Sequence, residues 1–497
     1  MNSEGALLAV DQGTSSSRAI AFSTAGEILE VAQYPFDQIY PRPGWVEQDP
    51  EIIVATTLSA IREVLDQLTR RGIAVIAMGL TNQRETTVAW NRRTGDAVCN
   101  AISWQDRRTA ARCRQLAAAG EEEWLTARTG LRLDPYFSAS KMGWILQNIP
   151  DARAMAKRGE LALGTIDSFL IARLTRRAAH VSDASNASRT ALYDIRAGRW
   201  DAELCDLFGT PVDCLAEVRD SAGEFAVTDP SILGTRIRIT GVAGDQQAAL
   251  IGQAGLRQGD VKSTYGTGAF LMLNTADRLL RSNRRLLTTI AYRIAGHTTY
   301  ALEGSILSAG TTVQWLRDGL GLFEHAEDIE QLANSVPDSG GVYLVPAFTG
   351  LGAPYWELEA RGAIVGLTRS SSRAHVARAA LDSVAFQTWD LLDAMSDDGV
   401  APSVLRVDGG MSRNSLLMQR LADILDMPIQ RPHIVEATAW GAACLAGLGA
   451  GIYQSLDDTV ALWRAETSFE PKLDTHCRQL ALDGWHCALR AVTLAKP

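Results

Sequence analysis

Two stretches half a chain apart carry the same pattern. In ALLAVDQGTSSSRAIAFS (residues 6–23) and VKSTYGTGAFLMLN (261–274), an apolar run enters a turn with a Gly-Thr pair, Gly13-Thr14 or Gly266-Thr267, and a second apolar run leaves it. Such runs around Gly, Thr and Ser predict antiparallel hairpins with polar tips. Their recurrence at this distance predicts an internal duplication. The chain has 497 residues, too many for one ordinary core, and we expect two halves, 1–250 and 251–497, with a cleft between them and the crossing near 248–255.

A third such point lies in LRVDGGMSRNSLLMQRLADIL (405–425), where an apolar strand runs into Gly409-Gly410 and a helical pattern follows. Elsewhere helical patterns such as 51–68 and 374–395 alternate with short strands such as 73–80, which predicts a mixed α/β fold. Glycine turns after strands let backbone N–H groups converge on phosphate oxygens. A plain tight turn explains any one of Gly13-Thr14-Ser15-Ser16, Gly266-Thr267-Gly268 and Gly409-Gly410, but the three together favour a nucleotide.

Other classes lose support on reading. GxxxxGK[ST], a helix-opening GxGxxG, HExxH and GxSxG do not occur in the chain. With 48 basic against 57 acidic residues, a net charge of −9 argues against general nucleic-acid or anionic-membrane binding. Seven scattered cysteines without a CxxC spacing suit a reducing cytoplasm, and the sequence carries no export or membrane-insertion signal that we can identify.

The run GVAGDQQAALIG (241–252) sets Asp245 among small apolar neighbours. Two readings stay open: a desolvated carboxylate acting as a base, or an N-cap on a helix starting at Gln246. In TNQRET, Arg84 beside Glu85 is a cation and carboxylate able to serve the hydroxyls of a polyol, or a structural salt bridge. Trp104 and Tyr136 are pocket walls or core residues.

Taken in order, DQGTSSSRA, PGWVEQDP, TNQRETT, WQDRRT, DPYFSASK, SNASRT, AGDQQAAL, TYGTGAF, PAFTGLGAPYW, ARGAIVGLTR and VDGGMSRN resemble the glycerol kinases of the FGGY carbohydrate kinase family, from about residue 7 to about 460. The resemblance implies two duplicated ribonuclease-H-like, actin-like ATPase domains and Mg-ATP-dependent phosphorylation of glycerol to sn-glycerol 3-phosphate. By similarity Asp245 is the general base and Gln246 holds a neighbouring glycerol oxygen. Arg84, Glu85 and Tyr136 bind glycerol hydroxyls, with Trp104 and Phe270 as the apolar side. Thr14, Ser15 and Ser16, with Arg18 as charge partner, form the first phosphate turn and Thr267 the second. Gly310, Gln314, Gly410 and Asn414 hold the nucleotide, and Asp11, through water, sits with Asp245 near Mg²⁺. Family members are commonly homo-oligomers, so a dimer or tetramer is expected. Neighbouring readings are a kinase for erythritol, threitol or dihydroxyacetone, and a non-catalytic actin-like nucleotide-binding module.

The chain departs from the family pattern in places. TSSSR replaces the commoner TTSSR, and DPYFSASK replaces DPYFSGTK. Trp440 stands where Leu is common, and VDGGMSRN replaces VDGGAVAN; both changes bear on nucleotide affinity.

Overall fold

The computed structural model describes residues 5–357, 359–434 and 436–494. β1 (Gly5–Gln12) and β2 (Ser16–Ser23) form the first expected hairpin, with Leu8 opposite Ala21. β3 (Ile28–Pro35) extends it antiparallel, while β4 (Ala74–Asn82) and β6 (Arg238–Gly244) add in parallel on the other side of β1. β5 (Ala222–Val227) closes that edge antiparallel, giving the order β5-β6-β4-β1-β2-β3. β1 reads as an almost unbroken apolar run because both of its faces are covered, as expected for a strand with a parallel neighbour inside a sheet.

The second half repeats this. β7 (Asp260–Tyr265) and β8 (Ala269–Ala276) are the second hairpin, and β9 (Leu287–Ile294) and β10 (His297–Ile306) continue it. β11 (Val404–Asp408), β12 (Ile429–Pro432) and β13 (Ala465–Phe469) complete the order β9-β10-β8-β7-β11-β12-β13. Read from β3 or from β10, each sheet shows two antiparallel pairings, two parallel ones and a final antiparallel one. β9 is the extra edge strand. The duplication is therefore a matter of topology as well as of two similar turns.

Helices cover the sheets as the apolar periodicity predicts. α1 (Pro50–Arg70) starts after Asp49, whose side chain accepts from the Glu51 amide, and Pro50 opens its first turn. Its buried stripe of Ile53, Ile61, Val64 and Leu68 packs in one core with Val10, Ala21 and Met78. Matching equivalents follow the parallel strands. α2 (Asp245–Gly252) leaves β6, α3 (Arg373–Asp397) packs on the second sheet, α4 (Ser415–Leu425) follows β11, and α5 (Ala437–Gly449) leaves β12.

α2 and α5 cross backbone against backbone. A Cβ on Gly252 would lie 1.9 Å from the Ala437 carbonyl oxygen, and one on Gly441 would lie 1.8 Å from that of Ala248. α5 also rests on the first sheet, where Gly79 and Gly241 admit the Ala442 carbonyl and the Ala446 amide. One core thus joins Leu7, Ala9 and Ile20 of the first half to Ala439, Trp440 and Ala443 of the second. Trp440 packs 5.2 Å from the Phe22 ring and is 1% exposed, so this departure from the family pattern fills the joint between the halves. Trp440 lines no part of the nucleotide-side cavity around Arg18, Asp408 and Gly410, so any bearing on the nucleotide would pass through this packing.

Beside a smaller four-stranded sheet (47–48, 101–102, 87–91 and 161–165), His180 packs edge-on against Trp90 at 4.9 Å. Burial holds its pKa down to about 3. The unfolded chain takes up a proton on this ring below about pH 6.5, which the folded one refuses until about 3, so the contribution of His180 to stability falls across that window and is flat above it. Urea titrations at pH 7, 5 and 4 are expected to show a shallower acid loss for His180→Phe than for the parent, and parallel curves would refute it. No described helix is long and apolar enough to cross a membrane.

Candidate active site

The parallel strands β1, β4 and β6 end side by side, with Gln12, Asn82 and Gly244 in register. Ligand sites in open α/β sheets form beyond such carboxyl ends. Here the ends carry Asp11, the Gln83–Thr86 loop and Asp245. Gln83 braces the first turn, since its side-chain amide donates to the Gly13 carbonyl at 3.0 Å and to Gln12 and Gln48 oxygens.

The helix begins at Asp245 itself, with Gly244 in the capping position, one residue earlier than the N-cap reading assumed. The Asp245 Oδ1 accepts from the Gln246 amide at 2.7 Å and pairs with Arg84 Nε at 3.1 Å. Its side chain keeps 31% exposure, against 2% for Arg84. Burial raises its carboxyl pKa, and Arg84 and then Lys262 oppose that rise. Gly244 is required by this packing, because a Cβ there would lie 2.7 Å from Arg84 Cδ.

Arg84 and Glu85 do not pair with each other, which corrects the reading of TNQRET as a mutual salt bridge. Glu85 has a left-handed φ of 61°, and a tight turn closes from the Thr86 amide to the Arg84 carbonyl at 2.7 Å. Consecutive side chains then find separate partners. Arg84 clasps Glu303 of β10 through both terminal nitrogens, at 2.5 and 3.2 Å, while Glu85 receives Arg189 Nε at 2.6 Å. Arg189 reaches Glu303 as well, at 2.9 Å.

Three aromatic rings gather beside these charges. Trp104 meets Tyr136 at 5.6 Å and 79°, and Phe270 at 6.2 Å and 77°, both edge to face. The indole N–H of Trp104 donates to the Thr14 hydroxyl at 3.0 Å, linking this wall to the first turn. Gln246 gives its side-chain oxygen to the fully buried Lys262, whose ammonium also reaches Thr264 Oγ1 and the Phe270 carbonyl. Burial depresses the Lys262 pKa to about 8, although Asp408 and Asp245 resist it.

On the other side lies a cavity of about 510 Å³, lined by Arg18, Asp408, Gly409, Gly410, Arg413 and Glu436 among others. Arg18 is ion-paired with Glu436 across the two halves. Gly409 has φ +87°, and a Cβ on it would meet the Tyr265 carbonyl at 2.4 Å, whereas one on Gly410 would meet nothing within 4 Å. The second turn closes from the Gly266 amide to the Gly268 carbonyl, and the helix Gly310–Asp318 starts hard against it, the Gly310 amide donating to Gly266 at 3.0 Å.

Of the expected nucleotide residues, Arg18 and Gly410 line this cavity, while Thr14, Ser15, Ser16, Thr267, Gly310, Gln314 and Asn414 stand outside its lining. Asn414 Oδ1 caps α4 by accepting from the Leu417 amide at 2.8 Å. Asp11 lies within electrostatic reach of Arg18, Asp245 and Glu436, and burial raises its pKa to about 7. Among the described residues no three His, Cys, Asp or Glu side chains form a ready-made metal cage.

Sequence reasoning missed Glu303, Arg189, Lys262 and Gln247, whose side-chain oxygen accepts from Arg84 Nη1 at 3.3 Å. Arg189 was visible within SNASRT without a role, and Glu303 sits as a lone carboxylate inside the strand sequence HTTYALEGSI.

Comparison with known proteins agrees with this fold. Residues 6–252 match the FGGY family of carbohydrate kinases, N-terminal domain, and residues 261–450 match its C-terminal domain. A glycerol kinase of Rhodospirillum centenum is 53% identical over 497 residues, the whole of both chains, so the likeness continues past residue 460. Glycerol kinase 1 of Pseudomonas aeruginosa is 53% identical over 98% of each chain. The crystal structure of Plasmodium falciparum glycerol kinase with ADP superposes with a TM-score of 0.94 at 35% identity over 98% of each chain. A xylulose kinase from Lactobacillus acidophilus shares the fold, at a TM-score of 0.87, 20% identity and 99% of each chain. With both domains of one family matched in order across two sheets of the same topology, this chain belongs to the FGGY family of carbohydrate kinases.

Proposed function

We propose that this chain is an ATP-dependent glycerol kinase, yielding sn-glycerol 3-phosphate. The observation that carries the reading is a partly exposed Asp245, held by Arg84 beside a pocket of hydroxyl-binding groups and aromatic edges, in a chain about half identical to glycerol kinases along its whole length. Phosphoryl transfer asks mainly for positioning and charge compensation. With Oδ1 occupied by Arg84 and the Gln246 amide, Oδ2 of Asp245 takes the proton as the glycerol oxygen bonds to the γ-phosphorus and the bond to the ADP oxygen breaks. Arg84, Glu85, Tyr136 and Gln246 hold the remaining hydroxyls, and Trp104 and Phe270 face the carbon chain.

Residues 1–250 supply the polyol site, the turn of Thr14, Ser15 and Ser16, and the base. Residues 251–497 supply most nucleotide contacts, through Thr267, Gly310, Gln314, Gly410 and Asn414. Asp11 and Asp245 are hard oxygen donors whose carboxylates crowd one another electrostatically, which fits a site for Mg²⁺ completed by nucleotide phosphates. When bound there, Mg²⁺ offsets phosphate charge. A coupled ADP-release assay with Mg-ATP across glycerol, dihydroxyacetone, erythritol and threitol tests the function. The highest kcat/KM is expected on glycerol; a four-carbon preference would move the substrate, and no turnover on any would leave only a nucleotide-binding module.

Arg18 reaches the cavity and no polyol contact. Arg18→Ala is expected to raise the KM for ATP about tenfold while the KM for glycerol moves less than about twofold. Equal changes in the two would contradict its place on the nucleotide side.

A further inference from the structure

We infer that Glu303 and Arg189 are positioning residues that fix the hydroxyl-binding geometry of Arg84 and Glu85, so that the second half of the chain sets polyol specificity in the first. This rests on the reading of that pocket as a polyol site. Five groups of alternating sign run in contact: Asp245, Arg84, Glu303, Arg189 and Glu85. Glu303 is the hub. Its Oε1 accepts from both arginines, at 3.2 and 2.9 Å, and its Oε2 accepts from Arg84 at 2.5 Å.

Exposure gives the chain of charges a direction. Arg84, Glu303, Arg189 and Glu85 keep 2% or less of their side-chain surface, while Asp245 keeps 31%. A carboxylate and guanidinium so buried hold their orientation only while each has its partner. Burial pushes the Glu303 carboxyl up, yet Arg189 and Arg84 overcome this and hold it at about 2. Glu303 therefore stays charged and keeps two like-charged guanidiniums together.

One donor of the cluster has no partner among the described residues. Arg189 Nη1 is buried without a hydrogen bond, in a guanidinium 5.8 Å from the Tyr136 ring centre, against the proposed polyol pocket. Glu303 alone of the five comes from the second sheet. The hydroxyl contacts are thus registered against the other half of the molecule.

The test uses the full-length enzyme, Glu303→Gln and Arg189→Lys with glycerol, 1,2-propanediol and 1,3-propanediol. Glu303→Gln keeps the shape and removes the charge. It is expected to raise the glycerol KM about tenfold or more, with the ATP KM within about twofold. The preference for glycerol over the two diols is expected to shrink by about tenfold, because misplaced partners no longer reward the extra hydroxyl. A merely structural role would move both KM values together and leave that preference intact. Either that result, or a glycerol KM and diol preference within about twofold of the parent, overturns the inference. If Glu303→Gln does not fold, Arg189→Lys decides by the same two readouts, since it keeps the charge and loses the fork. The parent enzyme judges the proposed function separately: a different preferred polyol would retire glycerol, and the ratio of variant to parent on that polyol would still judge Glu303.

Discussion

Asp245→Asn is expected to lower kcat on glycerol by about 10²–10⁴ while leaving both KM values within a few fold. The carboxamide has the same shape, and its oxygen can still accept from Arg84 and from the Gln246 amide, so the pocket keeps its form. What disappears is the acceptor at the second oxygen, which becomes an NH₂ group. Steady-state kinetics with a parallel ATP-binding titration separate the cases. Turnover within about tenfold of the parent would remove Asp245 from the proton step, and loss of ATP binding would recast it as a binding residue.

Gly441→Val is expected to destabilise the protein by about 3 kcal/mol or more, the upper end for overpacking, and to abolish activity through the fold. A Cβ at this position would sit 1.8 Å from the Ala248 carbonyl oxygen, and that obstacle is backbone in a helix, with no rotamer to escape by. α2 and α5 would have to part, opening the core that Phe22 and Trp440 fill. Gly410→Ala is the matched control, since a Cβ there meets nothing within 4 Å and thermal stability should hold. Thermal melts and soluble yield compare the two, and a Gly441→Val variant melting with the parent would contradict the crossing as described.

Periodicity and turn chemistry made much of this legible. Both hairpins, α1, α3 and the strand before Gly409-Gly410 arise from local patterns of apolar, Gly, Thr and Ser residues, and they stand where those patterns put them. Asp245 was conspicuous for the same reason, as a charge in an apolar run. The capping reading fails by one residue, since Gly244 takes the cap and Asp245 opens the helix, and its Oδ1 accepts only the next amide.

Partners distant in sequence were not legible. Arg84 and Glu85 invite a mutual pair on the page, yet a single left-handed residue sends them to Glu303 and Arg189, 219 and 104 positions away. The partner of Trp440 was likewise not legible, since Phe22, 5.2 Å off, is 418 positions away. Nor was the capping bond from the Leu417 amide to Asn414 Oδ1.

Any turn of one half against the other about the glycine crossing of α2 and α5 would have its pivot close to Asp245. Asp245 lies three to seven residues along α2 from the contacts at Ala248 and Gly252, which is about 5–10 Å at the rise of an α-helix. Turning one half by about 10° about that point displaces the carboxylate by roughly 1–2 Å, whereas groups three times as far out sweep roughly three times that arc. In such a turn the Asp245 carboxylate would sit on the short arm, and the outer edges of the cleft on the long one.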